Sequence, residues 1–295
     1  MNQNQELVNK TPTADAKNLC LAYGKQQVLK NLSWQLMPGQ VVGLLGRNGA
    51  GKTTLLETLL GLREPQSGQV QLFGAPASQL SDDNRARIGY VPQRSDLFEG
   101  FTAQQLLDYF KSFYPRWNTS KVESLMFRWG IPANQTIALM SGGQQQRLSI
   151  IRALAHEPDM LVLDEPVASL DPAGRRDFLR ELVDQVLDRG TTVVLSTHIL
   201  SDLERVAFNV AFMREGDISI QAPLDELLDQ TRQVTGARHL VHSYAERNKS
   251  QILGMRNLEG GRSMAIVKFS GQEPQNDTKL VVDRVSLEEL FMELA

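Results

Sequence analysis

The residues best placed to do chemistry are Gly46-Arg47-Asn48-Gly49-Ala50-Gly51-Lys52-Thr53. They fit the pattern G-x-x-x-x-G-K-[ST]. Glycines at 46, 49 and 51 let the backbone curl so that successive N–H groups point inward, with no Cβ atoms in the way. That concavity suits a polyphosphate. A helix starting near Gly51 aims its positive end at the same anion. Lys52 is a mobile point charge for the outer phosphates, and the Thr53 hydroxyl is a ligand for Mg²⁺. The stretch reads as a nucleoside triphosphate site.

A second group follows the apolar run Met160-Leu161-Val162-Leu163. Asp164 and Glu165 put two carboxylates at the carboxyl end of a buried strand, costly unless a cation or a hydrogen-bond network awaits them. In an α/β sheet that end is where ligands sit. Asp164 suits Mg²⁺ bound through water, and Glu165 suits orienting or deprotonating an attacking water. Three further features read two ways. Tyr23 is a strand aromatic or a stacking face for adenine. Ser141-Gly142-Gly143 is a plain helix cap or a second anion site. His198 is a structural residue or a contact for a terminal phosphate.

These residues need elements to carry them. Val41 to Leu45 is a short apolar run of the kind found in buried parallel strands, and residues 54–60 form a helix that stops at Gly61. Alternation in 19–23 and 28–36, broken at Gly24-Lys25, predicts an antiparallel hairpin before the loop. Further strands are expected at 67–74, 88–93 and 191–198, with a hairpin around Glu215-Gly216-Asp217. Thr102 with Gln105 makes a capping box for one helix, and Val122, Leu125, Met126 and Trp129 stripe a second that stops at Gly130. A long helix runs from Ala173 to Arg189 and closes at Gly190. Beyond about residue 229 the signals weaken. Strands are expected at 239–244, 264–269 and 279–285, then a helix capped by Ser286 and Glu289.

The chain has 295 residues, 41% hydrophobic and 22% charged, with net charge −3, enough to bury a real core and without the basic face expected of a nucleic-acid binder. A single cysteine, Cys20, forms no internal disulfide and points to a reducing compartment. Residues 1–13 are polar and lack the apolar core of a signal peptide. No run is long and apolar enough to span a membrane, so any membrane role is expected to pass through a partner.

Taken in order, these motifs resemble the ATP-binding cassette subunits of ABC transporters. The likeness covers 14 to about 228 and is carried by Gly46–Thr53, Gln93, Met140-Ser141-Gly142-Gly143-Gln144, Leu161–Glu165, Ser169-Leu170-Asp171 and His198. The S-G-G-Q element is the most specific of these. The resemblance implies an α/β phosphate-loop cassette at 14–228, with an antiparallel β subdomain and a helical lobe at about 94–158. It leaves 229–295 as a small C-terminal α+β domain. ATP would be held by Tyr23, Gly46, Asn48, Gly49, Ala50, Gly51, Lys52, Thr53 and Thr54, and Mg²⁺ by Thr53, Gln93 and Asp164. Glu165, His198 and Gln93 would be catalytic. Ser141, Gly142, Gly143, Gln144 and Asp171 would meet a nucleotide held by a second cassette, identical or sibling. The other implied partner is an integral membrane permease, placing the chain on the cytoplasmic face of the inner membrane. Residues 113–117 and 287–291 look like bacterial exporter-type cassettes. Arg47 stands where proline is usual, Met140 replaces leucine, and Val167-Ala168-Ser169 departs from the usual run; none removes a ligand atom.

Two other readings compete. Soluble relatives that remodel DNA or ribosomes usually carry two cassettes or a long coiled coil between the Gln93 and Ser141 positions, and neither is present. A sensor that does not hydrolyse would have no use for both Glu165 and His198.

Overall fold

Four apolar strands fill the centre of the molecule, and their alternate side chains enter two different cores. Val41, Leu45, Leu161, Leu163, Val193, Leu195, Val210 and Phe212 face one. Val42, Leu44, Met160, Val162, Val194, Ala211 and Met213 face the other. This is the two-residue period of a strand covered on both faces, which is why these runs are continuously apolar rather than alternating.

The computed structural model describes residues 11–197, 200, 209–270 and 277–295. It opens with β1 (Ala14–Tyr23), β2 (Gln26–Leu36) and β3 (Val41–Leu45), which leads through the phosphate loop into α1 (Lys52–Leu59). Next come β4 (Ser67–Leu72), β5 (Ala75–Pro76), the one-turn α2 (Asp82–Arg85) and β6 (Ile88–Val91). A helical stretch follows: α3 (Ala103–Lys111), α4 (Thr119–Arg128) and α5 (Gly142–Ala155). Then come β7 (Met160–Asp164), α6 (Pro172–Arg189), β8 (Thr192–Ser196), β9 (Asn209–Arg214) and β10 (Asp217–Pro223). The chain continues through α7 (Leu224–Gln230), β11 (Thr231–Ala237), α8 (Arg238–Arg247) and β12 (Gln251–Asn257). It closes with β13 (Arg262–Lys268), β14 (Val281–Arg284) and α9 (Leu287–Leu294). No described helix is long and apolar enough to cross a membrane.

The central sheet has the order β10-β9-β3-β8-β7-β6, parallel from β9 to β6 with β10 antiparallel at one edge. Parallel pairing puts the carboxyl ends of β3, β6, β7 and β8 along one rim. The phosphate loop, Gln93, Asp164-Glu165 and Ser196 are therefore neighbours although far apart in sequence. An antiparallel sheet, β2-β1-β4-β5, covers one face together with α1. The helices α3 to α6 pack on the other.

Past α7 a third sheet, β12-β13-β11-β14, is antiparallel throughout. Val234, Ala265 and Val267 pack under α8 on one face. Met264 and Ile266 point the other way and join Leu287, Leu290 and Leu294 of α9 in the main core. The strand expected at 239–244 is instead part of α8. The buried residues there are Val241, Tyr244 and Ala245, the i, i+3, i+4 pattern of a helix lying on a sheet. Two strands of this sheet went unread. β11 has polar residues at 232, 233 and 235 and a glycine at 236, and β12 is an edge strand broken by Gly254.

His156, at the carboxyl end of α5, is 1% exposed, stacks on Tyr114 with ring centroids 4.1 Å apart and shares a 3.0 Å hydrogen bond with the Ile88 carbonyl. Burial pushes its pKa down to about 4. An unfolded histidine titrates near 6.5, so between those values the unfolded chain binds the extra proton. This stabilising contribution is full above about pH 6.5 and lost as pH falls toward 4. Stability should drop by about 2 kcal/mol from pH 7.5 to 5.0 on this account. Urea unfolding of the parent and of His156→Leu at both values checks it: the variant should lack that share of the slope, and parallel slopes would rule it out.

Candidate functional site

The phosphate loop is built by close backbone packing. A Cβ on Gly46 would lie 2.7 Å from the Met213 carbonyl oxygen, so β9 passes too near for any side chain there. Gly51 has φ +103°, which L side chains rarely adopt, and a Cβ there would lie 3.0 Å from Val28 Cγ1. It begins α1 without a side-chain cap, and the first turn of α1 has no acidic residue. The leading N–H groups of α1 are thus left for an outside acceptor, at the end of the helix that favours an anion.

Lys52 is 7% exposed and folds back over the loop, its Nζ donating to the Gly46 carbonyl at 2.6 Å and the Arg47 carbonyl at 3.3 Å. Burial lowers its pKa, and the negative charges of Glu165 and Asp164 oppose that shift. The ammonium thus rests on backbone carbonyls while facing two carboxylates.

Asp164 is 1% exposed and accepts hydrogen bonds from two hydroxyls, Thr53 Oγ1 at 2.6 Å and Ser196 Oγ. The Ser196 hydroxyl also accepts from the Glu165 N–H at 3.0 Å, and the Ser196 carbonyl accepts from the same N–H at 3.1 Å. Glu165 itself has φ 50°, a left-handed conformation uncommon for a residue with a side chain and a form of strain concentrated at functional sites. Register explains the contact: Asp164 on β7 lies opposite Ser196 on β8.

A cavity of about 350 Å³ opens over this rim, lined by Tyr23, Gln26, Val28, Asn48, Gly49, Gly51, Lys52, Thr53, Thr54, Gln93 and Glu165. Tyr23 is 46% exposed at its edge, with its hydroxyl 3.4 Å from Thr54 Oγ1 and the Arg63 guanidinium 5.2 Å from its ring centre. Most expected nucleotide residues therefore meet. Ala50 faces away, into a separate cavity behind the loop. Sequence reading missed Gln26, Val28 and Ser196. Only the strand-end position of Ser196, matching that of Asp164, could have signalled it. His198 lies outside the described residues.

Mg²⁺ fits the donor set. Among the described residues no group of three or more His, Cys, Asp or Glu could hold a metal alone. The Thr53 hydroxyl and Asp164 carboxylate supply adjacent hard oxygens, and Mg²⁺ typically takes its other ligands from water and phosphate.

A second group assembles elsewhere. Ser141 caps α5 with a capping box: its Oγ accepts the Gln144 N–H at 3.2 Å, and Gln144 Oε1 accepts the Ser141 N–H at 3.0 Å. Asp171 caps α6 by accepting the Gly174 N–H at 2.7 Å, and Arg147 of α5 donates to the same carboxylate at 3.0 Å. A Cβ on Gly174 would sit 2.4 Å from that guanidinium, so the glycine makes room for the link. None of Ser141, Gly142, Gly143, Gln144 or Asp171 lines the phosphate cavity among the described residues.

A family profile described as ABC transporter matches residues 29–168. The Nod factor export ATP-binding protein I of Paraburkholderia xenovorans (strain LB400) is 35% identical over 207 residues, 66% of this chain and 66% of that protein. The uncharacterized ABC transporter ATP-binding protein YxlF of Bacillus subtilis (strain 168) is 37% identical over 222 residues, 72% of each. Among solved structures, a dimeric post-hydrolysis state of an ATP-binding cassette bound to ADP and Pi aligns with TM-score 0.65 and 26% identity, covering 72% of this chain and 98% of that one.

Ser196→Ala removes the hydroxyl shared by Asp164 and Glu165. It should cost about 1.5–3 kcal/mol in urea unfolding, the range for a hydrogen bond to a charged group. Ser196→Thr, which keeps the hydroxyl, should lose clearly less. Equal losses would mean the bond contributes nothing.

Proposed function

Because this chain belongs to the ABC transporter ATP-binding family, we propose that it hydrolyses ATP at paired sites between two cassettes and drives a separate membrane permease. One observation carries the pairing. The chain holds two half-sites that do not meet: the phosphate cavity, and the Ser141–Gln144 and Asp171 cluster at the heads of α5 and α6. Head-to-tail pairing of two copies, or of this chain and a sibling, would bring each half to its complement. Such an interface is isologous when the copies are identical.

Within that site Tyr23 offers its ring to the base, and the loop N–H groups with Lys52, Thr53 and Thr54 take the phosphates. Bound between Thr53, Asp164 and Gln93, Mg²⁺ would supply positive charge beside the phosphate oxygens. Lys52 exchanges its carbonyl acceptors for phosphate oxygens. Glu165, pinned through its N–H to Ser196, orients the attacking water and accepts its proton. Gln93 follows β6 and precedes the helical stretch, which suits it to report site occupancy to the lobe at about 94–158. Residues 14–228 form the cassette and 229–295 a small C-terminal domain. The name of the Nod factor export relative supports export as the direction, with the chain docked on the cytoplasmic face of the membrane through its permease. No nucleic acid is among its partners on this reading.

Glu165→Gln should keep ATP affinity while lowering turnover by ~10²–10⁴. It should also shift the protein to dimer on size exclusion with Mg-ATP, since nucleotide bound across the interface stabilises the pair. Adding Ser141→Arg should return it to monomer. Parent-rate hydrolysis by Ser141→Arg, with the permease present, would falsify the shared site.

A further inference from the structure

Arg47 is the position in the phosphate loop with no role in the proposed chemistry. Its backbone carbonyl accepts the Lys52 ammonium at 3.3 Å, while its guanidinium Nη2 reaches the opposite way and donates to the Met292 carbonyl of α9 at 3.1 Å. Arg214, at the end of β9, donates to the next carbonyl, Glu293, at 3.3 Å. The last carbonyls of a helix lack partners inside it, and that end carries partial negative charge. Two guanidiniums from the cassette thus satisfy the end of a helix that follows the C-terminal sheet.

Three other facts fix that helix end in place. Leu287, Leu290 and Leu294 are buried in the main core. Arg256 of β12 pairs with the Glu293 carboxylate at 3.2 Å. A Cβ on Gly254 would lie 3.2 Å from the Glu293 carbonyl, so β12 presses closely on the turn that Arg47 grips. Behind the loop a cavity of about 480 Å³ separates it from α9, and Asn48 and Gly49 line both this cavity and the nucleotide cavity. The loop is a thin wall with the Tyr23-lined cavity on one side and the cavity against α9 on the other.

We propose that Arg47 is a positioning residue that ties the phosphate loop to the C-terminal helix, so that nucleotide occupancy and the seating of α9 are linked. This rests on the loop being the ATP site. When Lys52 turns to phosphate it releases the Arg47 carbonyl, which keeps the Ala50 N–H at 3.1 Å inside the loop, so the Arg47 side chain on Met292 is that residue's hold on α9. Linkage is reciprocal, so a loop held by α9 binds nucleotide more tightly, and a loop holding nucleotide seats α9 more firmly.

Amide hydrogen exchange with and without a non-hydrolysable ATP analogue and Mg²⁺ reads both ends at once. In the parent, nucleotide should slow exchange in 46–54 and also in 287–295. Arg47→Ala should weaken analogue affinity about three- to tenfold, the share of one solvent-touching hydrogen bond. At saturating analogue it should protect 46–54 but no longer 287–295, and Arg47→Lys should recover part of both effects. Protection of 287–295 that persists in Arg47→Ala at saturation, or that is missing in the parent while 46–54 is protected, overturns the link. If the parent shows no protection at 46–54, the nucleotide reading itself fails, and the link with it. A weaker affinity with α9 protection intact means that Arg47 touches phosphate directly, which also rejects the proposal.

Discussion

A carboxylate with almost no solvent contact is held at the end of β7, and the site depends on how it is satisfied. Leaving such a charge without partners costs several kcal/mol or more. Asp164 avoids that cost by accepting one hydroxyl from Thr53 at the head of α1 and another from Ser196 at the end of β8. Those two bonds tie three elements together at the rim of the sheet. They also fix where Glu165 stands, because its N–H is held by Ser196 and its backbone is bent into the left-handed region. The hydroxyl at Thr53 thus serves the buried carboxylate and is also suited to act as a metal ligand.

That rim exists because the central strands are parallel and bury both faces. Their alternate residues feed separate cores, one under the antiparallel sheet and α1, the other under α3 to α6. The phosphate loop and the Ser141–Asp171 cluster therefore belong to different layers. The phosphate loop rises on the side of α1, while the Ser141 and Asp171 caps sit at the heads of helices on the other face. Arg147 joins those two caps into one unit through the Asp171 carboxylate. The α9 helix enters the same core as α5 and α6, which brings the C-terminal sheet against the cassette rather than leaving it on a tether.

Much of this was legible in the residues. The loop glycines, Lys52 and Thr53 announce a polyphosphate cradle because few other tasks need that combination. The capping boxes at Thr102 and Ser286 mark helices that the fold contains. The C-terminal region was less readable. The stretch 239–244 looked like a strand although its buried residues follow helical spacing, and β11 hides its role behind polar residues at 232, 233 and 235 and a glycine against Leu280.

Local chemistry determined what the sequence could show by itself: which backbone segments curl, which helices start where, and which residues can hold phosphate, metal or water. Those properties arise from side chains within a few positions of one another, so spacing along the chain reveals them. The meeting of Ser196 with Asp164 and Glu165, the reach of Arg147 to Asp171 through the space beside Gly174, and the grip of Arg47 on α9 were decided only by the tertiary structure. Each joins residues from separate elements, and each depends on strand register or on an approach of a few ångströms between backbones. Neither leaves a periodic mark in the sequence.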